Sequence, residues 1–263
     1  MAAGAVLLGS WISGASGTVF QRILLALTAF MATGFGNIVN DIMDIKSDSI
    51  SHPERPLPSG RISLKDAVVY AILLVAGAML CSFIVGPLFA VAALAPIALL
   101  TLYAFCLKGT PLAGNIIVSL LVAYSLVFGS LEAPGLHHLL IPGLLAVLLN
   151  FSREIIKDMQ DRDGDSAANI ITSATLPRSL LQKLIIFNSI LYGLLIALPW
   201  ILGHFGAAYL AVCLVLIVPC HIRRTVLVCR PDWDIKATLI SRSLKIEMLL
   251  GFTAMAIDRL AAK

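Results

Sequence analysis

The sequence predicts an all-α, polytopic membrane bundle of nine transmembrane helices. Three observations carry that prediction: composition, the spacing of apolar stretches, and the placement of basic residues between them. Hydrophobic residues make up 59% of the chain and charged ones 13%, outside the balance of a water-soluble globule. Apolar runs recur along nearly all 263 residues at spacings suited to membrane helices. One membrane domain over residues 1–263 is the economical division. A net charge of +4 would hint at nucleic acid in a soluble protein, but here it follows from where Lys and Arg stand relative to the spans. The partners expected from this are membrane lipids, with no nucleic acid and no protein partner implied.

The nine predicted helices are Met1 to Ile12, Ile23 to Val39, Ala67 to Val85, Leu88 to Cys106, Ala113 to Leu131, Leu136 to Ser152, Leu184 to Leu202, Ala207 to Ile222 and Leu244 to Ile257. The first is shorter than the ~20 residues needed to cross a bilayer. A cleaved signal peptide is the competing account of it, but no basic segment precedes the apolar run. Tight connections at Gly86-Pro87, Gly109-Thr110-Pro111 and Pro134-Gly135 reverse the chain between consecutive helices. Cys81, Cys106, Cys213, Cys220 and Cys229 show no paired or ligand-type spacing and read as small core residues. His52, His137, His138, His204 and His221 fall mostly at span ends or in loops, without a metal-binding pattern, and no chemistry is assigned to them.

Basic residues set the orientation. Of the 19 lysines and arginines, 16 follow the second, fourth, sixth or eighth span, the exceptions being Arg22, Arg259 and Lys263. The positive-inside rule then places those connections and the amino terminus in the cytoplasm, and the carboxyl terminus outside. Acidic residues follow the same pattern apart from Glu132 and Asp258. Because carboxylates contribute little to orientation, they need another reason to be there.

Two segments supply it. Asn37, Asp41, Asp44 and Asp48 recur after the second span at steps of four, three and four, and Glu154, Asp158, Asp161 and Asp165 do so after the sixth, 117 residues further on at every position. Such steps stack acceptor groups on one helical face. Like charges at this spacing repel, and a carboxylate at the membrane centre costs about 2.5–3.5 kcal/mol, so something positive must offset them. Two one-sided oxygen clusters suit Mg2+, a hard cation that takes one or two carboxylates and completes its shell with water and phosphate oxygens. Facing each other, they could clamp one diphosphate.

At these residues the chain resembles the UbiA superfamily of intramembrane prenyltransferases, with an NDxxDxxxD motif after the second helix and a second aspartate motif after the sixth. Asn40, Asp41, Asp44 and Asp48 match the first motif, and Asp158, Asp161 and Asp165 the second. The stretch from His52 to Ser63 and the Arg153-Glu154-Ile155-Ile156-Lys157-Asp158 start of the second motif are most similar to the archaeal-type digeranylgeranylglyceryl phosphate synthase branch. The polar, arginine-containing lead usual before that family's first helix is not found here. The resemblance implies Mg2+-dependent transfer of a geranylgeranyl group from its diphosphate to the free hydroxyl of geranylgeranylglyceryl phosphate, an isoprenyl diphosphate donor meeting a lipid phosphate acceptor at the cytoplasmic face of the cell membrane.

Under that reading Asp41, Asp44, Asp158 and Asp161 are the catalytic, metal-positioning residues, with Asn40, Asp48 and Asp165 as further ligands. Arg55, Lys108, Arg153 and Lys157 are the candidate phosphate partners, and Asn37, Tyr103 and Asn115 the candidate polar contacts of the substrate. Apolar helix bodies would shield the reacting carbon from water. An aromatic acceptor such as a hydroxybenzoate or quinone precursor is the alternative within the same chemistry. An ion-coupled transporter is the remote one, since its charges usually lie near mid-membrane. No general base for the acceptor hydroxyl can be picked from the sequence.

Overall fold

The computed structural model describes residues 1–107 and 109–262, and among them it is helical, without a strand. Each of the nine predicted stretches is a helix: α1 (Ala2–Ile12), α2 (Val19–Met43), α4 (Leu64–Val85), α5 (Pro87–Leu107), α6 (Ala113–Phe128), α7 (Leu136–Ala167), α8 (Arg178–Ile201), α9 (Ala207–Cys229) and α10 (Ala237–Ala261). A short α3 (Ile45–Ser51) continues α2. Six of them (α2, α4, α5, α7, α8 and α9) are long and apolar enough to cross a membrane. α1 and α6 are apolar but shorter. α10 carries Arg242, Lys245 and Glu247 in its body.

Several helices run past the boundaries read from hydropathy. α7 continues to Ala167 where the apolar run stops at Ser152, α9 reaches Cys229 instead of Ile222, and α10 begins at Ala237 instead of Leu244. Hydropathy marks where side chains stop being apolar, whereas a helix stops where its backbone finds better partners. Helix starts do carry local signals. Thr18 and Gln21 form a reciprocal capping box on α2, and the Ser63 hydroxyl accepts from the Asp66 N–H at 3.1 Å on α4.

The extension of α9 changes the status of Arg224. Grouped from sequence with the basic residues that follow the eighth span, it lies inside the bundle, 1% exposed, against the fully buried Glu247 of α10.

Packing is inside-out relative to a soluble protein. Ile72, Leu73, Leu80 and Phe83 of α4 are all more than half exposed, which is stable only against lipid. The interior holds α7, which packs against α3, α6, α8 and α10. α1 crosses α6 with backbones nearly touching: a Cβ on Gly9 would run into the Leu126 carbonyl, and Ser10 Oγ donates to Gly129 O at 2.9 Å. Small residues drive such close crossings in membranes. Pro96 interrupts α5 and cannot donate to the Ala92 carbonyl four residues back. The Tyr124 hydroxyl of α6 donates to that carbonyl at 2.7 Å, restoring the partner that lipid could not supply.

Candidate active site

Both acidic segments are helical, and the fold brings them face to face. α2 breaks at Asp44 (φ −93°, ψ 1°), but Asp44 N–H still donates to Asn40 O at 2.9 Å and Asp48 N–H to Asp44 O at 2.7 Å. The four-residue register therefore survives the break, and Asp44 and Asp48 share a face. Opposite them the last three turns of α7 present Asp158, Asp161 and Asp165. Ser47 Oγ donates to Asp165 Oδ1 at 2.8 Å, and His52 Nε2 lies 3.0 Å from Asp161 Oδ1. Gly164 permits the approach, since a Cβ there would sit 2.7 Å from the Ser47 carbonyl.

Between the rows lies a narrow polar cleft. Asn40, Asp44 and Asp48 line one wall, Lys157, Asp158, Asp161 and Asp165 the other, and Tyr103 and Asn115 are at the side. Tyr103 opens the π-helical turn Tyr103–Leu107 that ends α5, a local unwinding often found at functional sites. A Cβ on Gly114 would lie 2.6 Å from the Tyr103 ring, so the ring packs on bare backbone. Asp158 Oδ2 accepts from Asn115 Nδ2 at 3.0 Å, Ser173 Oγ at 2.6 Å and Ser173 N–H at 3.2 Å, which fixes the carboxylate in one orientation.

Arg55, in the connection after α3, reaches back to the first acidic row. Its Nη1 donates to both oxygens of Asp48 at 2.8 Å and stands 4.0 Å from Asp41, whose side chain is 44% exposed at the rim. Burial works against the Arg55 cation, but the Asp48 hydrogen bond and the charges of Asp48, Asp41 and Asp161 outweigh it and raise its pKa. Glu154 leaves the cleft: it is buried and accepts from Arg153 Nη1 at 2.6 Å. Lys108 and Lys263 lie outside the described residues. Ser47, His52 and Ser173 are site residues that sequence reasoning missed. His52 follows Asp48 at helical spacing, a usable signal, whereas Ser173 carries no local pattern.

One helical turn from the cleft a cavity of about 430 Å³ opens among α1, α2, α5, α6, α7 and α10. On four helices a residue of the cleft is followed within a turn by one of the cavity: Asn40 by Asn37, Tyr103 by Leu100, Asn115 by Val118 and Lys157 by Arg153. The cavity exists because Ala29, Ala32 and Ala93 are too short to fill the space between α2 and α5. Its polar residues include Asn37, Arg153 and Lys245. If ~150 Å³ accommodates a six-carbon ring, this volume holds roughly 17 apolar carbons.

The donor set fits a hard divalent cation. Five carboxylates (Asp44, Asp48, Asp158, Asp161 and Asp165) line it together with the side-chain amides of Asn40 and Asn115, and among the described residues Lys157 is the one cation lining the cleft. An oxygen-rich cleft at the end of a lipid-facing bundle, one helical turn from a separate apolar cavity, defines a multi-pass membrane protein with a polar site and an apolar pocket side by side. The chain belongs to the UbiA prenyltransferase family, whose model matches residues 2–240. It is 36% identical over 238 residues to the digeranylgeranylglyceryl phosphate synthase of Methanothermobacter thermautotrophicus, covering 90% of this chain and 84% of that one. It is also similar to a solved structure concerned with digeranylgeranylglyceryl phosphate synthase in membranes, with TM-score 0.78 and 27% identity over 99% of this chain and 93% of the other. A UbiA homolog from Archaeoglobus fulgidus, solved with GPP and Mg2+, shares the fold at TM-score 0.68 and 15% identity over 97% and 96% of the two chains.

Proposed function

We propose that this chain, acting as one unit, transfers a geranylgeranyl group from geranylgeranyl diphosphate to the free hydroxyl of geranylgeranylglyceryl phosphate, forming the second ether bond of an archaeal-type lipid. The carrying observation is the cleft of facing carboxylates that lies within one helical turn of the apolar cavity. Mg2+ bound between the rows would supply Lewis-acid and template chemistry to the diphosphate. Asp44, Asp48, Asp158, Asp161 and Asp165 would hold it, with Asn40 beside them and Asp41 joining from the rim. Lys157 on the cleft wall is placed to pair with diphosphate oxygens. The cavity would take most of the prenyl chain and keep water from the allylic carbon as it gains positive charge.

The acceptor phosphate we assign to Lys245, which lines the cavity together with Arg153; Arg55 is held by Asp48 and Arg153 by Glu154, so both of these first balance a neighbouring carboxylate. Losing one charge-assisted contact costs about 1.5–3 kcal/mol. Lys245→Ala should therefore raise the KM for geranylgeranylglyceryl phosphate roughly tenfold or more, with a smaller change in that for the prenyl diphosphate. Geranylgeranylglycerol without phosphate should be a poor acceptor. The assay uses purified protein, Mg2+, labelled geranylgeranyl diphosphate and a panel of acceptors. Efficient prenylation of a hydroxybenzoate with none of the glyceryl phosphate lipid would overturn the acceptor and leave the family chemistry.

We further infer that the eight longer helices (α2 and α4–α10) and the short α1 lie within the bilayer as nine spans, with the cleft on the cytoplasmic side. α2 and α7 both end at the cleft, which supports placing the connections after the second and sixth spans on one face. Single cysteines placed in the 52–63 and 168–177 connections should be labelled from the cytoplasm and protected from outside. Labelling of the two from opposite faces would remove the nine-span reading.

A further inference from the structure

At the other end of α7, ~30 Å from Asp158 at 1.5 Å per residue, three histidines converge. His137 and His138 come from the first turn of α7, and His204 from the connection between α8 and α9. One ligand nitrogen from each lies within 4.8 Å of the others, and the ring centroids are 4.0, 4.8 and 5.5 Å apart. We propose that this triad is a binding site for a borderline divalent transition metal of the Zn2+ class, separate from the carboxylate cleft, joining the α6–α7 and α8–α9 connections.

Two observations besides proximity point to a ligand. Nδ1 of His138 and Nδ1 of His204 are shielded from solvent and make no hydrogen bond, so two imidazole nitrogens are desolvated without compensation. An ion would supply it, and the remaining nitrogen of each ring would be free to donate outward. The triad also borders a cavity of about 560 Å³, which leaves room for water or an anion at a fourth position. Tetrahedral ligands at Zn–N of about 2.0–2.1 Å stand ~3.3 Å apart, so side-chain rotation closes the set without moving the backbone far.

The surroundings hold the backbone around this point. Gly203 takes φ +71° immediately before His204, and a Cβ on Gly135 would lie 2.7 Å from the Ser13 carbonyl. Asp258 of α10 accepts from Gly206 N–H at 2.9 Å and Tyr209 N–H at 3.0 Å, anchoring the segment that carries His204. Its buried negative charge and the exposed Arg259 both border the cavity, so the field on the site is mixed. Imidazole-only ligation favours Zn2+ and its neighbours over Mg2+, which makes the two sites chemically selective.

The test uses full-length protein purified without a histidine tag, stripped with chelator and held in excess Mg2+ to occupy the carboxylates. Titration with Zn2+ should show one tight equivalent that raises Tm, and Co2+ should give the intense visible absorption of tetrahedral nitrogen ligation. His138→Gln and His204→Gln should each weaken binding at least 10–100-fold, the loss that removal of an outer-shell partner already brings, and abolish the Tm shift. Prenyl transfer with Mg2+ should persist in both. The exposed His137→Gln serves as a third variant if either of the others fails to fold. No saturable equivalent, or equal Zn2+ binding by wild type and variants, would overturn the site.

Discussion

Asp158→Asn is expected to lower prenyl transfer by 10²–10³-fold or more, the scale seen when one preorganised electrostatic group is removed from an active site, while expression and thermal stability stay close to wild type. Asp158 makes its contacts through one oxygen, Oδ2, which accepts from Asn115 and from Ser173 twice. An asparagine can present its carbonyl oxygen to the same three donors and keep the fold of the cleft. The other end becomes an amide NH2, which cannot ligate a cation and repels it. Activity should require Mg2+, vanish with chelator and return on Mg2+ addition in wild type, with little recovery in the variant. Asp66→Asn is the control, because Asp66 is exposed beside the N-cap of α4 and outside the cleft. Wild-type turnover by Asp158→Asn with Mg2+ still required would refute the two-row clamp.

The sequence carried the helices and the metal-side register but not the depth of each residue or the spaces between helices. Steps of four, three and four place Asn37 and Glu154 on the same helical faces as the aspartates that follow. Yet each lies four residues, ~6 Å, deeper along its helix. At that depth Asn37 lines the apolar cavity and Glu154 is buried against Arg153. Face is a local property of spacing; depth depends on where the bundle ends, which hydropathy marks only to within a turn or more. The cavity was not legible because it arises from alanines on α2 and α5 that meet only in the tertiary structure. Lys245, at the start of the predicted ninth helix, likewise read as one more orienting charge, because the cavity it lines forms only in the tertiary structure. The histidine triad joins residues 66 positions apart, so no local pattern could have announced it.

The second large effect concerns stability. Arg224 Nε donates to Glu247 Oε1 at 2.6 Å and Nη2 to Oε2 at 3.2 Å, while Nη1 donates to Ser189 Oγ at 2.9 Å. His221 Nδ1 completes the group 3.1 Å from Glu247 Oε2. Arg224 and Glu247 are 1% and 0% exposed, so α8, α9 and α10 are linked by charges that have left water almost entirely. A buried pair of this kind contributes little relative to an apolar pair of equal volume, because desolvation offsets the attraction. Removing one partner is different, since the other is left buried and unbalanced, at about 3–5 kcal/mol. Arg224→Ala and Glu247→Ala should each lower unfolding stability in detergent by that amount, and the double variant Arg224→Met, Glu247→Leu should lose far less than their sum. Single variants that unfold like wild type would show that the pair is hydrated. Full stability together with lost transfer would instead give the pair a functional role, as intramembrane charges often have. The expected outcome is lower stability with transfer kinetics preserved in the folded fraction, because neither residue borders the cleft.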